Sequence, residues 1–119
     1  MREAWQETVI QSLEELSDRS RQRTFWVDRA RGDFPSPAEV LCELFDDTGL
    51  SEMLALGTVF SEEADASLRS LSEKADSITL DKAPDDLLED SEWFELTQLA
   101  SRARILVVGA LDRQSSRRG

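Results

Sequence analysis

Histidine and tyrosine are both absent from this chain of 119 residues. Without histidine, the usual acid–base group near neutral pH is missing, and so is the commonest metal ligand. Cys42 is the single cysteine, which excludes an internal disulfide and fits a reducing compartment. That thiol has no histidine to act as its base, so we expect a small, partly buried thiol and no nucleophile. No glycine-rich phosphate loop is present, nor a calcium loop with alternating acids and a central glycine. Carboxylates would be the only plausible catalysts, and the expectation is a protein that is not an enzyme, with no catalytic residue, no metal and no cofactor. No long apolar run occurs. MREAWQETVIQSLEEL lacks a signal-type apolar stretch, and Ile105 to Leu111 is far too short to span a bilayer. A cytoplasmic location is expected.

Cations are also scarce. Fourteen Lys and Arg face twenty-five Asp and Glu, a net charge of −11. Phosphate contacts need cations, so nucleic acid is excluded as a partner, and an anionic membrane surface on the same ground. The imbalance is local. Residues 1–31 hold six acids and six arginines. Residues 32–101 hold eighteen acids against only Arg69, Lys74 and Lys82, a net of −15, while residues 102–119 carry +4. Such a field speeds encounter with a basic partner, or simply keeps the protein soluble.

What the chain does have is helical apolar periodicity. The hydrophobic share of 39% suffices for a core at this length, and one domain is the natural count. Trp5, Val9, Leu13 and Leu16 mark a helix over residues 2–17, widened by Ile10. SDRSRQR then either ends that helix or continues it with a solvated middle. Its arginines, with Arg29 and Arg31, are expected in internal ion pairs. Ser36-Pro37-Ala38-Glu39 is a helix start: a cap, a proline at the first helical position and a capping-box glutamate. Val40, Leu41, Leu44 and Phe45 form its apolar face, and Gly49 suits the left-handed residue beyond its end. A short helix over 50–56 follows. Ser61 caps the next, whose seam is Ala64, Leu68, Leu71, Ala75 and Ile78. Residues 79–91 form a connection with one helical turn near Asp85-Asp86-Leu87-Leu88. Ser91 is expected to cap the last helix, whose C-terminal half should be buried because it is apolar nearly all round. Ile105–Leu111 could instead be a strand, but no partner strand is apparent. The fold class expected is all-α: a compact, single-domain, antiparallel bundle of four to six helices over residues 1–114, with 115–119 frayed.

Three groups stand out as candidate partner-binding residues. Asp46 and Asp47 sit at a helix C-terminus, an end that prefers cations, and such a local misfit is sometimes kept for a partner. The alternative is that Asp47 or Thr48 only shapes the turn. Glu62, Glu63 and Asp65 occupy the first turn after Ser61. Asp85, Asp86, Glu89 and Asp90 form the densest cluster, where a solvated connection outweighs a weak divalent-cation site. Phe25 and Trp26 are candidate aromatic anchors, with packing into the core the alternative.

The run FWVDRARGDFPSPAEVLCELFDDTGLSEML, followed by acidic helices and a Trp-bearing last helix, resembles the small acidic immunity proteins of bacterial toxin systems, including those of contact-dependent growth inhibition. The resemblance implies a cytoplasmic protein that binds and blocks one cognate toxin domain. Many such toxins are nucleases with basic clefts, so an acidic surface would stand in for nucleic-acid phosphates. The alternative reading is a small acidic secretion chaperone or adaptor, which should homodimerise and expose an apolar groove. The sequence leaves the oligomeric state open between monomer and dimer.

Overall fold

In chain order the helices are α1 (Ala4–Ser17), α2 (Arg19–Gln22), α3 (Pro37–Cys42), α4 (Leu50–Leu56), α5 (Glu62–Ser77), α6 (Pro84–Glu89) and α7 (Ser91–Arg118). This computed structural model describes residues 3–24, 37–78 and 84–118, except the side chains of residues 37, 84, 85 and 114–118. Among the described residues there is no strand, and the helices form a compact single-domain bundle, as expected. Among the described residues there are seven helices, the short α2 and α6 lying in what reads as connection.

The bundle is built on α7. Its fully or nearly fully buried positions Trp93, Leu96, Ala100, Ala103, Val107 and Ala110 recur at alternating spacings of three and four. That spacing makes one seam along the helix, bulky at its N-terminal end and small beyond Leu96. Both α1 and α5 pack along α7. They run antiparallel to it: Glu14 of late α1 lies 3.7 Å from Arg104 at the middle of α7 while Gln22, beyond the end of α1, reaches Trp93 at its start, and Lys74 of late α5 lies 2.7 Å from Glu95 of early α7. The alanines on α7 let its two neighbours approach closely. The facing stripes are Val9, Leu13 and Leu16 on α1, and Ala64, Leu68 and Leu71 on α5, all at 0% exposure. The seam expected for α5 is therefore one face of an ordinary bundle helix. Burial of each such leucine contributes about 1.5–3 kcal/mol.

Ile105–Leu111 is helical, which resolves the strand alternative. Its burial is narrower than expected, however. Val107, Ala110 and Leu111 are buried, but Ile105 is 62% exposed, because α1 and α5 cover only part of the circumference. α7 extends to Arg118.

Local polar residues set the boundaries. The Glu3 backbone N–H donates to Gln6 Oε1 at 2.8 Å, closing the start of α1. Asp18 ends α1 by leaving helical geometry (φ −98°, ψ 86°), and its carboxylate accepts from the Arg21 N–H at 3.0 Å to begin α2. α3 starts at Pro37 as expected, while Ser36 lies outside the described residues. The last turn of this segment, Glu43–Asp47, is a π-helical turn. There the Thr48 hydroxyl donates to the Leu44 carbonyl at 2.6 Å and accepts from the Leu50 N–H at 3.2 Å. A side chain that competes with the backbone for a helical carbonyl loosens the turn in this way. Gly49 follows in the left-handed region (φ 77°). Ser61 caps α5 through the Ala64 N–H at 3.1 Å. For α7 the cap is Asp90, not Ser91: Asp90 Oδ1 accepts from the Glu92 N–H at 2.9 Å.

One buried polar side chain ties these pieces together. Gln22 is 1% exposed. Its amide nitrogen donates to the Glu15 and Leu16 carbonyls at 2.7 and 2.9 Å, two acceptors at the C-terminal end of α1. Its amide oxygen accepts from the Trp93 indole N–H at 3.0 Å. Nearby, Arg19 donates to the Leu88 carbonyl at 2.7 Å and lies over the Phe94 ring, 5.0 Å from its centre. Ion pairing was expected for this arginine, but a carbonyl and an aromatic face hold it. Trp93 is fully buried and Trp5 partly so, the latter against Phe60 at 5.8 Å between ring centres.

Gln22→Ala should destabilise the fold by about 2 kcal/mol or more, since it orphans a buried indole N–H. A double-mutant cycle with Trp93→Phe, read by urea unfolding, should show coupling of about 1 kcal/mol. Additive effects would show that the bond contributes nothing.

Candidate functional site

The acidic middle of the chain is the candidate site, and the fold divides it. Glu62 and Glu63 are exposed on the first turn of α5. Asp65, three residues on from Glu62, is only 1% exposed and does not belong to the surface. Its two carboxylate oxygens accept from the Val59 and Phe60 N–H groups at 2.7 and 3.0 Å, clamping the loop that leads into α5. The expectation that Asp65 offers charge to a partner is thus corrected. Asp65 lies about 200° around the helix from Glu63, and the two backbone donors draw its carboxylate inward.

The opposite end of α5 carries a second acidic region. From Glu63 to Asp76 the helix rises about 20 Å. There Lys74 pairs with Glu95, and that bond, with the charges of Glu95, Glu92 and Asp90 nearby, raises its pKa. These neighbours bring the acids around the α6–α7 junction to the C-terminal end of α5. Asp86 and Glu89 are exposed on α6. Asp85 is on the same helix, its side chain outside the described set. Asp90 does not share a helical face with Asp86, because α6 ends at Glu89 and Asp90 caps α7. Among the described residues no three His, Cys, Asp or Glu side chains converge to hold a metal ion.

Asp46 and Asp47 are exposed on the π-helical turn, with no basic residue in that turn. Thr48 shapes the following turn, so that role does not account for the two aspartates. Cys42 is exposed, contrary to the partly buried thiol expected, because it lies one turn before Asp46 on the outer face of α3. Its thiol donates to Asp46 Oδ2 at 3.5 Å. That bond raises the thiol pKa, with partial desolvation and the charges of Asp46 and Asp47 adding to it. A raised pKa lowers the thiolate fraction and with it the thiol's nucleophilicity.

Asp46, Cys42, Leu41 and Phe45 line a groove of about 410 Å³ together with Ser51 of α4 and Ser72, Ala75 and Asp76 of α5. Sequence reading missed Asp76, whose position shows up only when α5 is laid beside α3. A larger groove of about 590 Å³ runs between α1, α2 and α7, and its Glu14 and Asp18 are matched by Arg19 and Arg104. A third, of about 280 Å³, has both Glu63 and Arg102 among its lining residues. Phe25 and Trp26, the candidate anchors, lie outside the described residues, as do Arg29 and Arg31.

A model of the family described as "Domain of unknown function (DUF7945)" matches residues 2–115. The chain belongs to the DUF7945 family. No curated protein and no solved structure matches it. Among the described residues of this DUF7945 chain, no helix is long and apolar enough to cross a membrane.

Two outcomes follow for the carboxylates. Asp65→Ala should cost about 2–3 kcal/mol in urea unfolding, because two backbone donors lose a charged acceptor, whereas Glu62→Gln and Glu63→Gln should stay within about 0.5 kcal/mol. Glu15, on α1, has its pKa raised by burial first, then by Glu43 and Glu14, with Arg21 opposing. A carboxyl with a raised folded-state pKa contributes stability below its unfolded value and loses it as pH rises through the folded value. Glu15→Gln should therefore raise the melting temperature at pH 7 and leave it unchanged below the acid range. An equal shift at both pH values would rule out the titration.

Proposed function

We propose that this DUF7945 chain is a non-enzymatic protein-binding module, an immunity- or antitoxin-like inhibitor that neutralises a basic toxin domain in the cytoplasm through its acidic surface. One observation carries the reading. Of the three cations in residues 32–101, Arg69 and Lys74 are both taken up internally. Arg69 donates to the Leu54 carbonyl at 2.9 Å, closing the end of α4, and Lys74 is paired with Glu95. Lys82 lies outside the described residues. Among the described residues both cations of this body are thus already engaged within the chain, against eighteen acids in the same stretch. A basic protein would supply matching cations, and a field of that sign would raise its association rate by about 10- to 1,000-fold at low salt.

The secretion-chaperone reading draws on a different feature, the exposure of Leu56 (89%) and Ile105 (62%). These come from α4 and α7, and single exposed apolar residues are ordinary on a protein surface. The inhibitor reading accounts for the charge as well, and so stands first.

The test is co-expression with the C-terminal domain of the protein encoded by the adjacent upstream gene, followed by size-exclusion chromatography and stopped-flow mixing. A stoichiometric complex is expected, with an association rate that falls at least about tenfold between low salt and 0.5 M salt. Absence of a complex at low salt overturns the proposal. A homodimer that captures unfolded secreted protein instead would favour the chaperone.

A further inference from the structure

The groove between α5 and α7 is unfinished in the single chain. Ala66, Ser67 and Ser70 of α5 and Leu99 of α7 line it, together with Glu63 and Arg102. The α5 side chains are small, so the two helices leave a hollow between them. Ser67 is 8% exposed, yet its hydroxyl has no hydrogen-bond partner among the described residues. Buried polar groups are ordinarily paired, so this one marks packing that the chain does not complete by itself. Glu63 and Arg102 are exposed charges of opposite sign, and neither has an ion pair among the described residues.

An apolar knob lies beside this hollow. Ile105 is 62% exposed, and Phe94, 44% exposed, lies about three turns earlier on nearly the same side of α7. Val108 is half-buried along that side as well. The exposure follows from packing: Glu63, in the first turn of α5, shares a groove with Arg102, so α5 begins at that level of α7 and does not flank it further on. Gly109 lies on the length beyond. Glycine is a poor helix former, and a Cβ there would meet only the Arg113 guanidinium, at 3.9 Å, so packing within the chain does not call for it. A second helix passing close would.

Charge along α7 selects that helix. Its first half carries Glu92 and Glu95 with no cation before Arg102, whereas residues 102–119 carry +4. We infer that this face pairs two copies of the chain about a two-fold axis, α7 antiparallel to its counterpart, with Ile105 of each copy seated in the α5–α7 groove of the other. Knob and groove lie on one face of the same chain, as a self-complementary contact requires. An axis near Arg102 brings Ile105 level with Leu99 of the second copy and lets Glu63 of each copy meet Arg102 of the other. It also lays the acidic half of each α7 along the basic half of its counterpart, where a parallel pair would oppose like charges. The contact is small, below about 1,200 Å² in total, so the dimer is a weak one. It goes beyond the inhibitor reading and does not depend on it.

Sedimentation velocity of the full-length protein from micromolar to millimolar concentration tests the pairing. A monomer–dimer equilibrium is expected, weakened by salt. Ile105→Glu should raise its dissociation constant about tenfold or more, by driving a charge against an apolar wall, with an unchanged circular dichroism spectrum. Leu56→Glu, at the exposed leucine of α4, should leave it within about twofold. Glu63→Arg and Arg102→Glu should each weaken the dimer about threefold, and the two together should restore it. For orientation, a spin label on the C42S/E92C variant is mixed with ¹⁵N-labelled C42S protein. Antiparallel pairing attenuates amide signals around residues 109–114. A protein that stays monomeric throughout, an Ile105→Glu variant that dimerises like the wild type, or attenuation centred on residue 92 would each overturn the inference, and none of these bears on whether a toxin-domain complex forms.

Discussion

Everything at the N-terminal end of α7 depends on satisfying one indole N–H in a dry interior. Trp93 fills the widest part of the core at 0% exposure, and its polar edge needs an acceptor there. Gln22 provides it, 71 positions away in sequence. The same amide covers two carbonyls left open where α1 ends. A kinked α1–α2 junction, the placement of α7 and the closing of the core are therefore one problem with one solution. Arg19 reinforces it from outside through Leu88 and Phe94. With this end fixed by directional bonds, the other end of α7 is held mainly by close packing of small residues.

That division shapes the charged surface. The two long helices that flank α7 run the same way, so the acids on α5 are sorted toward its two ends and separated by the length of the helix. The polar groups inside the bundle take up the cations or carboxylates nearest them, as Leu54 does with Arg69 and the Val59–Phe60 backbone does with Asp65. On α5 and α6 the exposed charge of the described residues is mostly negative and is presented on helices. A rigid charged face costs little ordering on binding, which favours both speed and selectivity.

Much of the fold is legible in the sequence because it rests on local rules. Pro37, Gly49 and Ser61 mark their boundaries through their own backbone or hydroxyl chemistry, and the α5 stripe shows its period directly. Legibility ends where a residue's role depends on a distant partner. Gln22 lies in a run of polar residues and looks solvated until Trp93 is placed beside it. Ile105 reads as core until two neighbours prove too few to surround its helix. Asp65 looks like its neighbours Glu62 and Glu63, yet the Val59 and Phe60 N–H groups hold it inside. For the candidate site, the exposed acids of α3, α5 and α6 could be named from the chain, whereas the pairing of Asp46 with Asp76 across a groove is a product of packing.

The π-helical turn has a consequence for how such a protein diversifies. A π turn holds one more residue than an α turn, so deleting one residue between Glu43 and Asp47 would restore regular winding and rotate the side chains before the deletion by about 100° relative to those after it. The helices would stay, the net charge could stay, and a different acid would face α5. The charge that this turn sets toward α5 is thus open to change by chain length alone, a mutational route that comparison of surface residues alone would overlook.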